Sequence, residues 1–132
     1  MSKLIPEQSM AKMIQNAYDV MYERKEDHPP VVKLFLGNAT WLLSEIDPFY
    51  PDIAYGLCDL GFGEPELGTV SITELETIKH PILGGAQVDK HFTPTHPMSV
   101  YARAARMCQQ ITDEPQELEK ALSLVKQSEN KL

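Results

Sequence analysis

Basic residues are missing from a long central stretch of this chain. Between Phe35 and Ile78 there is no Lys or Arg, although the whole chain has twelve of them. The same stretch carries eight acidic residues: Glu45, Asp47, Asp52, Asp59, Glu64, Glu66, Glu74 and Glu76. The net charge of the chain is -7. Because phosphate backbones are bound mainly by clustered Lys and Arg, we expect no direct binding of nucleic acid.

Long apolar runs are also missing. The longest, such as Val31–Val32 and Trp41–Leu43, are far shorter than the ~20 residues that cross a bilayer. The N-terminal segment Met1–Pro6 lacks the apolar core of a signal peptide. We therefore predict a cytoplasmic protein that has no membrane partner.

Cysteine is scarce, and no catalytic motif is present. Cys58 and Cys108 are far apart in sequence, and neither has a second Cys or a His at metal-ligand spacing. We expect both to be buried small hydrophobic residues, as unpaired cysteines usually are. No serine lies in the Gly-x-Ser-x-Gly context of a nucleophile, so no catalytic residue and no cofactor is predicted.

The composition is that of an ordinary globular domain. With 132 residues, 42% of them hydrophobic and 23% charged, the chain is long enough to bury one core. We predict a single domain over residues 1–111 and a C-terminal helical tail over residues 112–132. The narrow apolar stripe of this tail could dock on the domain or on another chain, so the protein is either a monomer or a homodimer.

Hydrophobic periodicity indicates an α+β fold. Helical spacing predicts an amphipathic helix over residues 6–24, a short helix that begins at a capping box at Ser71, and two C-terminal helices, the last capped by Asp113. Four strands are predicted at 31–36, 39–46, 53–60 and 68–72, and a fifth, edge strand at 88–92. Short connections favour an antiparallel meander of four to five strands. We expect the N-terminal and C-terminal helices to pack on one face of this sheet.

The central block of the chain resembles a known family. The block consists of Val31–Phe35, then Ala39–Pro48, then Asp52–Gly68. It is similar to a family classified as a domain of unknown function, number 2958, and the resemblance runs from about Leu4 to Ile111. Members lie mostly on conjugative plasmids, integrative elements and phages, so the resemblance implies the biology of mobile elements. It implies no catalytic residue. Glu64 departs from the family pattern because an apolar residue is expected before Pro65.

The carboxylates of the acidic stretch are the best candidates for a functional cluster. Side chains alternate along a strand, so Glu45 should share a face with Trp41 and Leu43, and Asp59 should share one with Tyr55 and Leu57. Three interpretations are open: a divalent-cation or acid/base site, a recognition surface, or structural carboxylates that accept hydrogen bonds from loop N–H groups. The cluster consists of Glu45, Asp47, Asp59, Glu64 and Glu66.

A glycine-rich loop separates the third and fourth predicted strands. The segment Gly61–Gly68 contains three glycines but lacks the Lys-Ser/Thr pair of a phosphate-binding loop. We expect a hairpin or wide loop with glycines at positive φ. Phe62 should fold back on the core, the alternative being an exposed anchor for a partner.

These observations lead to one main functional hypothesis and one alternative. The main hypothesis is a non-enzymatic accessory protein of a mobile element that binds a basic protein through its acidic surface, as an antirestriction or anti-CRISPR inhibitor of a nucleic-acid-binding defence complex would. Its binding surface would consist of Glu45, Asp47, Asp59, Phe62, Glu64 and Glu66. The alternative is a small metal-dependent or hydrolytic enzyme that uses Asp59, Glu66 and His91.

Overall fold

The computed structural model describes residues 2–23 and 27–130. Four helices are present among them: α1 (Glu7–Glu23), α2 (Ile72–Thr77), α3 (Met98–Cys108) and α4 (Pro115–Asn130). The strands are β1 (Val32–Leu36), β2 (Ala39–Ile46), β3 (Ile53–Asp59), β4 (Glu66–Ser71), β5 (Lys79–His80), β6 (Gly84–Gly85) and β7 (Gln87–Val88). The predicted α+β class is confirmed. In this described part of the chain, no helix is both long and apolar enough to cross a membrane.

One five-stranded antiparallel sheet forms the centre of the molecule. Its strand order is β4-β3-β2-β1-β7, and every neighbouring pair is antiparallel. The predicted meander of the first four strands is therefore confirmed. Gly37 makes the tight turn between β1 and β2 at φ 59°, a conformation that glycine adopts without steric cost.

The fifth strand is shorter than predicted. Only Gln87 and Val88 pair with β1, instead of residues 88–92. The chain then turns, because the Asp89 carboxylate accepts a hydrogen bond from the N–H of His91 at 2.9 Å and ends the extended conformation. Gly84–Gly85 pairs with Lys79–His80 and forms the two-stranded hairpin β5–β6.

The helices cover both faces of the sheet, which corrects the prediction that they pack on one face. Leu43 belongs to a core cluster with Met13 of α1, and the adjacent Leu42 belongs to a second cluster with Tyr101 of α3. Neighbouring residues of a strand point to opposite faces. The consecutive residues Trp41, Leu42 and Leu43 are apolar and buried on both faces of β2, and this run should have predicted a strand covered on both sides.

A β-bulge at Ser44 interrupts the alternation in β2. Leu43 pairs with Gly56, whereas Glu45 pairs with Tyr55, so Ser44 is one extra residue. Glu45 therefore lies on the face of Tyr55, and its predicted place beside Trp41 and Leu43 is wrong. At this point a Cβ on Gly56 would overlap the carbonyl oxygen of Leu42, so only glycine allows the two strands to approach.

The residues at the start of α2 and of α4 differ in how they begin the helix. Ser71 caps α2, and its hydroxyl accepts a hydrogen bond from the N–H of Glu74 at 3.2 Å, which confirms the predicted capping box start. Asp113 does not cap α4 as predicted. Pro115 occupies the first position of that helix, and the Asp113 carboxylate lies 3.1 Å from the ammonium group of Lys33.

The predicted helical tail is α4, and it packs on α3. Its buried residues Leu118 and Ala121 join Ala104 and Ala105 of α3 in the second core cluster. The apolar stripe of the tail thus lies against this chain's own domain.

Candidate binding surface

Several acidic residues of the central stretch close loops through hydrogen bonds. The carboxylate of Asp47 accepts hydrogen bonds from the N–H groups of Phe49 and Tyr50, at 2.8 and 3.2 Å. The carboxylate of Glu76 accepts from Lys3 N–H at 2.6 Å and from the Ser2 hydroxyl at 2.9 Å, which ties the N-terminal segment to α2. For these residues the geometry supports the interpretation as structural carboxylates.

Asp52 has the same role at the start of α2. Its carboxylate accepts hydrogen bonds from the Ser71 hydroxyl and from both the N–H and the hydroxyl of Thr73. The hydrogen bond from Ser71, followed by those from Thr73, lowers the pKa of Asp52 below its usual value. The folded state therefore favours the ionised carboxylate.

We predict that Asp52 makes the stability of the protein depend on pH below about 4. Because its pKa is lower in the folded state, the stabilisation is complete above the unfolded pKa of roughly 3.9 and is lost as the pH falls through the folded pKa. The substitution Asp52→Asn should therefore lower the urea midpoint at pH 7, and the difference from wild type should shrink as the pH falls. A difference that stays constant down to pH 2.5 would contradict this role.

Asp59 is a buried carboxylate that joins two distant loops. It is 3% exposed, and its two oxygens accept hydrogen bonds from the N–H groups of Gly61 and Ile111, each at 2.9 Å. As predicted, it lies on the same face of β3 as Leu57, and this face is covered by α3. Asp59 thereby fixes the β3–β4 loop to the α3–α4 connection.

The three residues of the enzyme hypothesis do not converge. Glu66 pairs with Cys58, whereas Asp59 is the next residue along β3, so the two carboxylates point to opposite faces of the sheet. His91 is exposed in the turn that follows β7. Across residues 2–23 and 27–130, no three His, Cys, Asp or Glu side chains are placed to hold a metal ion.

The connection between β3 and β4, together with the first two residues of β4, presents exposed side chains of mixed character. Its apolar members are Leu60, Phe62 and Leu67, and its acidic members are Glu64 and Glu66; we call these five residues the loop surface. Phe62 is 84% exposed, so the expectation that it folds back on the core is wrong. Neither Glu64 nor Glu66 makes a hydrogen bond or ion pair with any residue that the structure describes.

Two glycines give this loop its shape. Gly61 and Gly63 have φ values of 89° and 84°, and they flank Phe62. A Cβ on Gly61 would lie 2.9 Å from Asn38, so the loop also approaches the β1–β2 turn closely. Glycine adopts positive φ without steric cost, so both positions suit glycine.

A groove that sequence reasoning missed lies between α1 and the start of β3. It has a volume of about 380 Å³, and we call it the α1–β3 groove. The residues that line it are Ala17, Val20, Met21, Glu45, Asp47, Pro48, Phe49, Ile53, Ala54, Tyr55 and Thr69. The sequence did contain one signal for a groove near this loop. Phe49 and Tyr50 are adjacent aromatic residues between two prolines, and both are exposed, whereas large aromatic side chains are usually buried.

Two of the lining residues, Glu45 and Tyr55, have altered pKa values. Burial raises the pKa of its carboxyl group, and attraction to His28 lowers it by a smaller amount. Burial, and then the negative charges of Glu45 and Asp27, raise the pKa of the neighbouring Tyr55 phenol. Glu45 makes no hydrogen bond with any of the described residues.

The two cysteines are partly exposed, which corrects the expectation that both are buried. Burial raises the pKa of the Cys58 thiol. Desolvation, followed by the hydrogen bond to Glu117, raises the pKa of Cys108. Both thiols are therefore protonated near neutral pH and are poor nucleophiles.

Comparison with known proteins gives one family. No curated protein and no solved structure matches the chain. The family described as "Protein of unknown function (DUF2958)" matches residues 4–112, which confirms the resemblance of the central block. Because the match spans α1, the whole sheet and α3, the chain belongs to the DUF2958 family.

Proposed function

We propose that this protein is a non-enzymatic accessory protein of a mobile genetic element, that it acts in the cytoplasm, and that it binds a basic protein through the loop surface. One observation supports this most strongly. Phe62 is 84% exposed on a loop held by the buried Asp59, and the carboxylates of Glu64 and Glu66, which follow it, have no hydrogen-bond or ion-pair partner among the described residues. Exposed aromatic side chains that are held in place are typical anchors of protein interfaces.

Charge and apolar contact have separate roles in such an interface. Glu64 and Glu66 attract a basic partner over the Debye length, which is about 10 Å at 0.1 M salt, and so speed association. Phe62, Leu60 and Leu67 supply apolar area once contact is made. A partner that has an apolar pocket within a basic groove fits this surface.

A nucleic-acid-binding defence complex is a partner of this kind. Its groove carries clustered Lys and Arg that bind phosphates, and an array of carboxylates can occupy the same positions. The family resemblance, with its link to plasmids and phages, supports an inhibitor of restriction or CRISPR interference. Such an inhibitor needs no cofactor and no catalysis.

Transformation efficiency tests the anti-defence proposal. Cells that carry a restriction system, or a CRISPR system with a matching guide, should accept an unmodified target plasmid at least about tenfold more often when this protein is expressed. The triple variant F62S/E64Q/E66Q should lose this gain, and the charge-matched control E74Q/E114Q on α2 and at the start of α4 should keep it. Equal efficiency with and without the protein, across both kinds of system, would contradict the inhibitor function.

A second prediction separates recognition from solubility. E64Q/E66Q should keep the wild-type urea midpoint, because exposed charges contribute less than about 1 kcal/mol to stability. Its affinity for a purified defence complex inhibited by the wild-type protein should fall about tenfold at roughly 50 mM salt, and the difference should narrow at roughly 300 mM as screening increases. Unchanged affinity at both salt concentrations would show that these carboxylates serve solubility only.

A further inference from the structure

One edge of the five-stranded sheet is formed by a long, regular strand. β4 has six residues, and among the described strands it pairs with β3 alone, without a bulge. The strand at the opposite edge, β7, has only two residues. Long edge strands are usually protected by Lys, by Pro or by a bulge, whereas β4 has none of these and its one charged residue, Glu66, lies at its first position. β4 is therefore suited to pair with a further strand.

The hydrogen bonds next to β4 show which of its backbone groups point outward. The N–H of Ile72 donates to the carbonyl oxygen of Asp52 at 2.8 Å, so this pair is hydrogen-bonded to its neighbour strand. Ile53, which pairs with Ser71, uses its N–H and C=O for bonds to the β2–β3 loop instead. Hydrogen-bonded and non-hydrogen-bonded pairs alternate in an antiparallel ladder. The even-numbered residues of β4 thus bond β3, and the odd-numbered residues direct their backbone groups away from it.

Leu67 and Thr69 are the odd-numbered residues in the middle of this edge. Their N–H and C=O groups have no hydrogen-bond partner in the part of the chain that the structure describes. Both residues are exposed, and a Cβ placed on Gly68 between them would meet no atom within 4 Å. The backbone of β4 is therefore accessible to an extended segment, which can supply a donor and an acceptor to each of these residues.

The side chains of β4 indicate which segment fits. Leu67 is 43% exposed and pairs with Leu57, whose face of the sheet is covered by α3. Glu66 is exposed and points to the opposite face. An added strand would lie about 4.8 Å from β4, so its side chains would contact those of β4 on each face. A segment with an apolar residue beside Leu67 and a basic residue beside Glu66 matches both.

A second copy of β4 fits this edge less well. It would bring another Glu66 and no basic side chain, because the chain has no Lys or Arg between Phe35 and Ile78. Like charges on neighbouring strands oppose pairing, whereas opposite charges favour it and speed association. Charge complementarity therefore favours a basic segment of another protein over a second copy.

We propose that β4 binds an extended segment of a partner protein as a sixth strand of the sheet, with Lys or Arg beside Glu66 and an apolar side chain beside Leu67. The proposal rests on the proposed function for the existence of a basic partner, and it adds how that partner is held. Glu66 and Leu67 also belong to the loop surface, so the two contacts are continuous.

A short peptide tests this pairing on the whole protein. When extended, acetyl-KVKVKVK-amide carries Lys on one face and Val on the other. Hydrogen exchange followed by NMR should show that the amides of Leu67 and Thr69 exchange at least about tenfold more slowly when the peptide is bound, because their N–H groups become hydrogen-bonded. The amides of Gly68 and Val70 already bond β3 and should change less. Binding without new protection at Leu67 and Thr69 would overturn the proposal.

Two further peptides separate strand pairing from charge. Acetyl-KVKPKVK-amide has the same charge but lacks one N–H, and it should bind at least about tenfold more weakly. Acetyl-EVEVEVE-amide can form the strand but has the opposite charge, and it should also bind at least about tenfold more weakly at low salt. Equal binding by the proline peptide would show attraction by charge alone, and equal binding by the acidic peptide would remove the basic partner; either result would overturn the proposal.

The variant Thr69→Pro removes one outward N–H from the protein itself. Proline is tolerated on an edge strand where the N–H faces solvent, so the variant should keep the circular dichroism spectrum of the wild type and bind acetyl-KVKVKVK-amide at least about tenfold more weakly. Thr69→Val keeps the N–H and should bind as the wild type does. Unchanged binding by folded Thr69→Pro would overturn the proposal, and if this variant does not fold, the proline peptide with the wild-type protein decides alone.

The failure of this proposal differs from the failure of the proposed function. Protection of Leu67 and Thr69 by the peptide, without any gain in transformation efficiency from the protein, would support pairing at β4 and contradict only the anti-defence function. A gain in transformation efficiency that folded Thr69→Pro keeps in full would contradict pairing at β4 and leave the anti-defence function standing.

Discussion

Replacing Trp41 by alanine will lower the free energy of unfolding by about 3–5 kcal/mol. Trp41 is 3% exposed, pairs with Leu34 and Cys58 across the sheet, and lies in the core cluster under α1. Removing the indole leaves a cavity that the paired strands on both sides cannot close. Urea denaturation followed by circular dichroism measures this loss, since the substitution removes the only tryptophan.

Phe62→Ala provides the control for the Trp41 variant. Phe62 is also a large aromatic side chain of the same sheet region, but it is almost fully exposed. Its removal should change stability by no more than about 0.5 kcal/mol. A Trp41→Ala variant that loses less than about 1 kcal/mol would place the indole outside the core.

The second large effect will come from Asp59. Replacing it by alanine leaves the N–H groups of Gly61 and Ile111 without an acceptor, and hydrogen bonds to a charged group contribute about 1.5–3 kcal/mol each. We expect Asp59→Ala to lower the free energy of unfolding by about 3 kcal/mol. Asp59→Asn keeps one carbonyl oxygen and should lose less.

The Asp59 measurements also test the enzyme hypothesis. They should be made with a chelator present, because a carboxylate that only binds a metal would then contribute nothing to stability. If Asp59 is a structural hydrogen-bond acceptor, Asp59→Ala should show the full loss of unfolding free energy even when the chelator is present. An unchanged stability of Asp59→Ala would contradict the structural role and leave metal binding open.

The carboxylates of the acidic stretch thus lie in three different environments. Asp52, Asp59 and Glu76 accept hydrogen bonds and hold loops together. Glu64 and Glu66 are exposed on the loop surface. Glu45 lies half-buried in a groove. In the sequence these residues form one acidic cluster. In the structure their hydrogen-bond partners and their burial divide them into three groups.

Sequence patterns within a few residues predicted most of the secondary structure and the antiparallel meander. The β-branched and aromatic residues of the two segments predicted β1 and β2 to within one residue, and the capping box predicted the start of α2. These features depend on neighbours within a few residues, so they can be read from the chain. The prediction was least accurate for the fifth strand, because a strand of only two residues has no periodicity to detect.

The candidate sites depended on contacts that are distant in sequence. The bulge at Ser44 moved Glu45 to the other face, and Asp59 proved structural only because Ile111 lies next to it in the fold. The α1–β3 groove likewise brings Val20 beside Tyr55. The sequence by itself determined the four helices, the first four strands with their antiparallel order, and the acidic character of the central stretch, because periodicity and charge are local properties. Only the tertiary structure decided which carboxylates are satisfied and which are open to a partner, since that depends on donors supplied by distant segments.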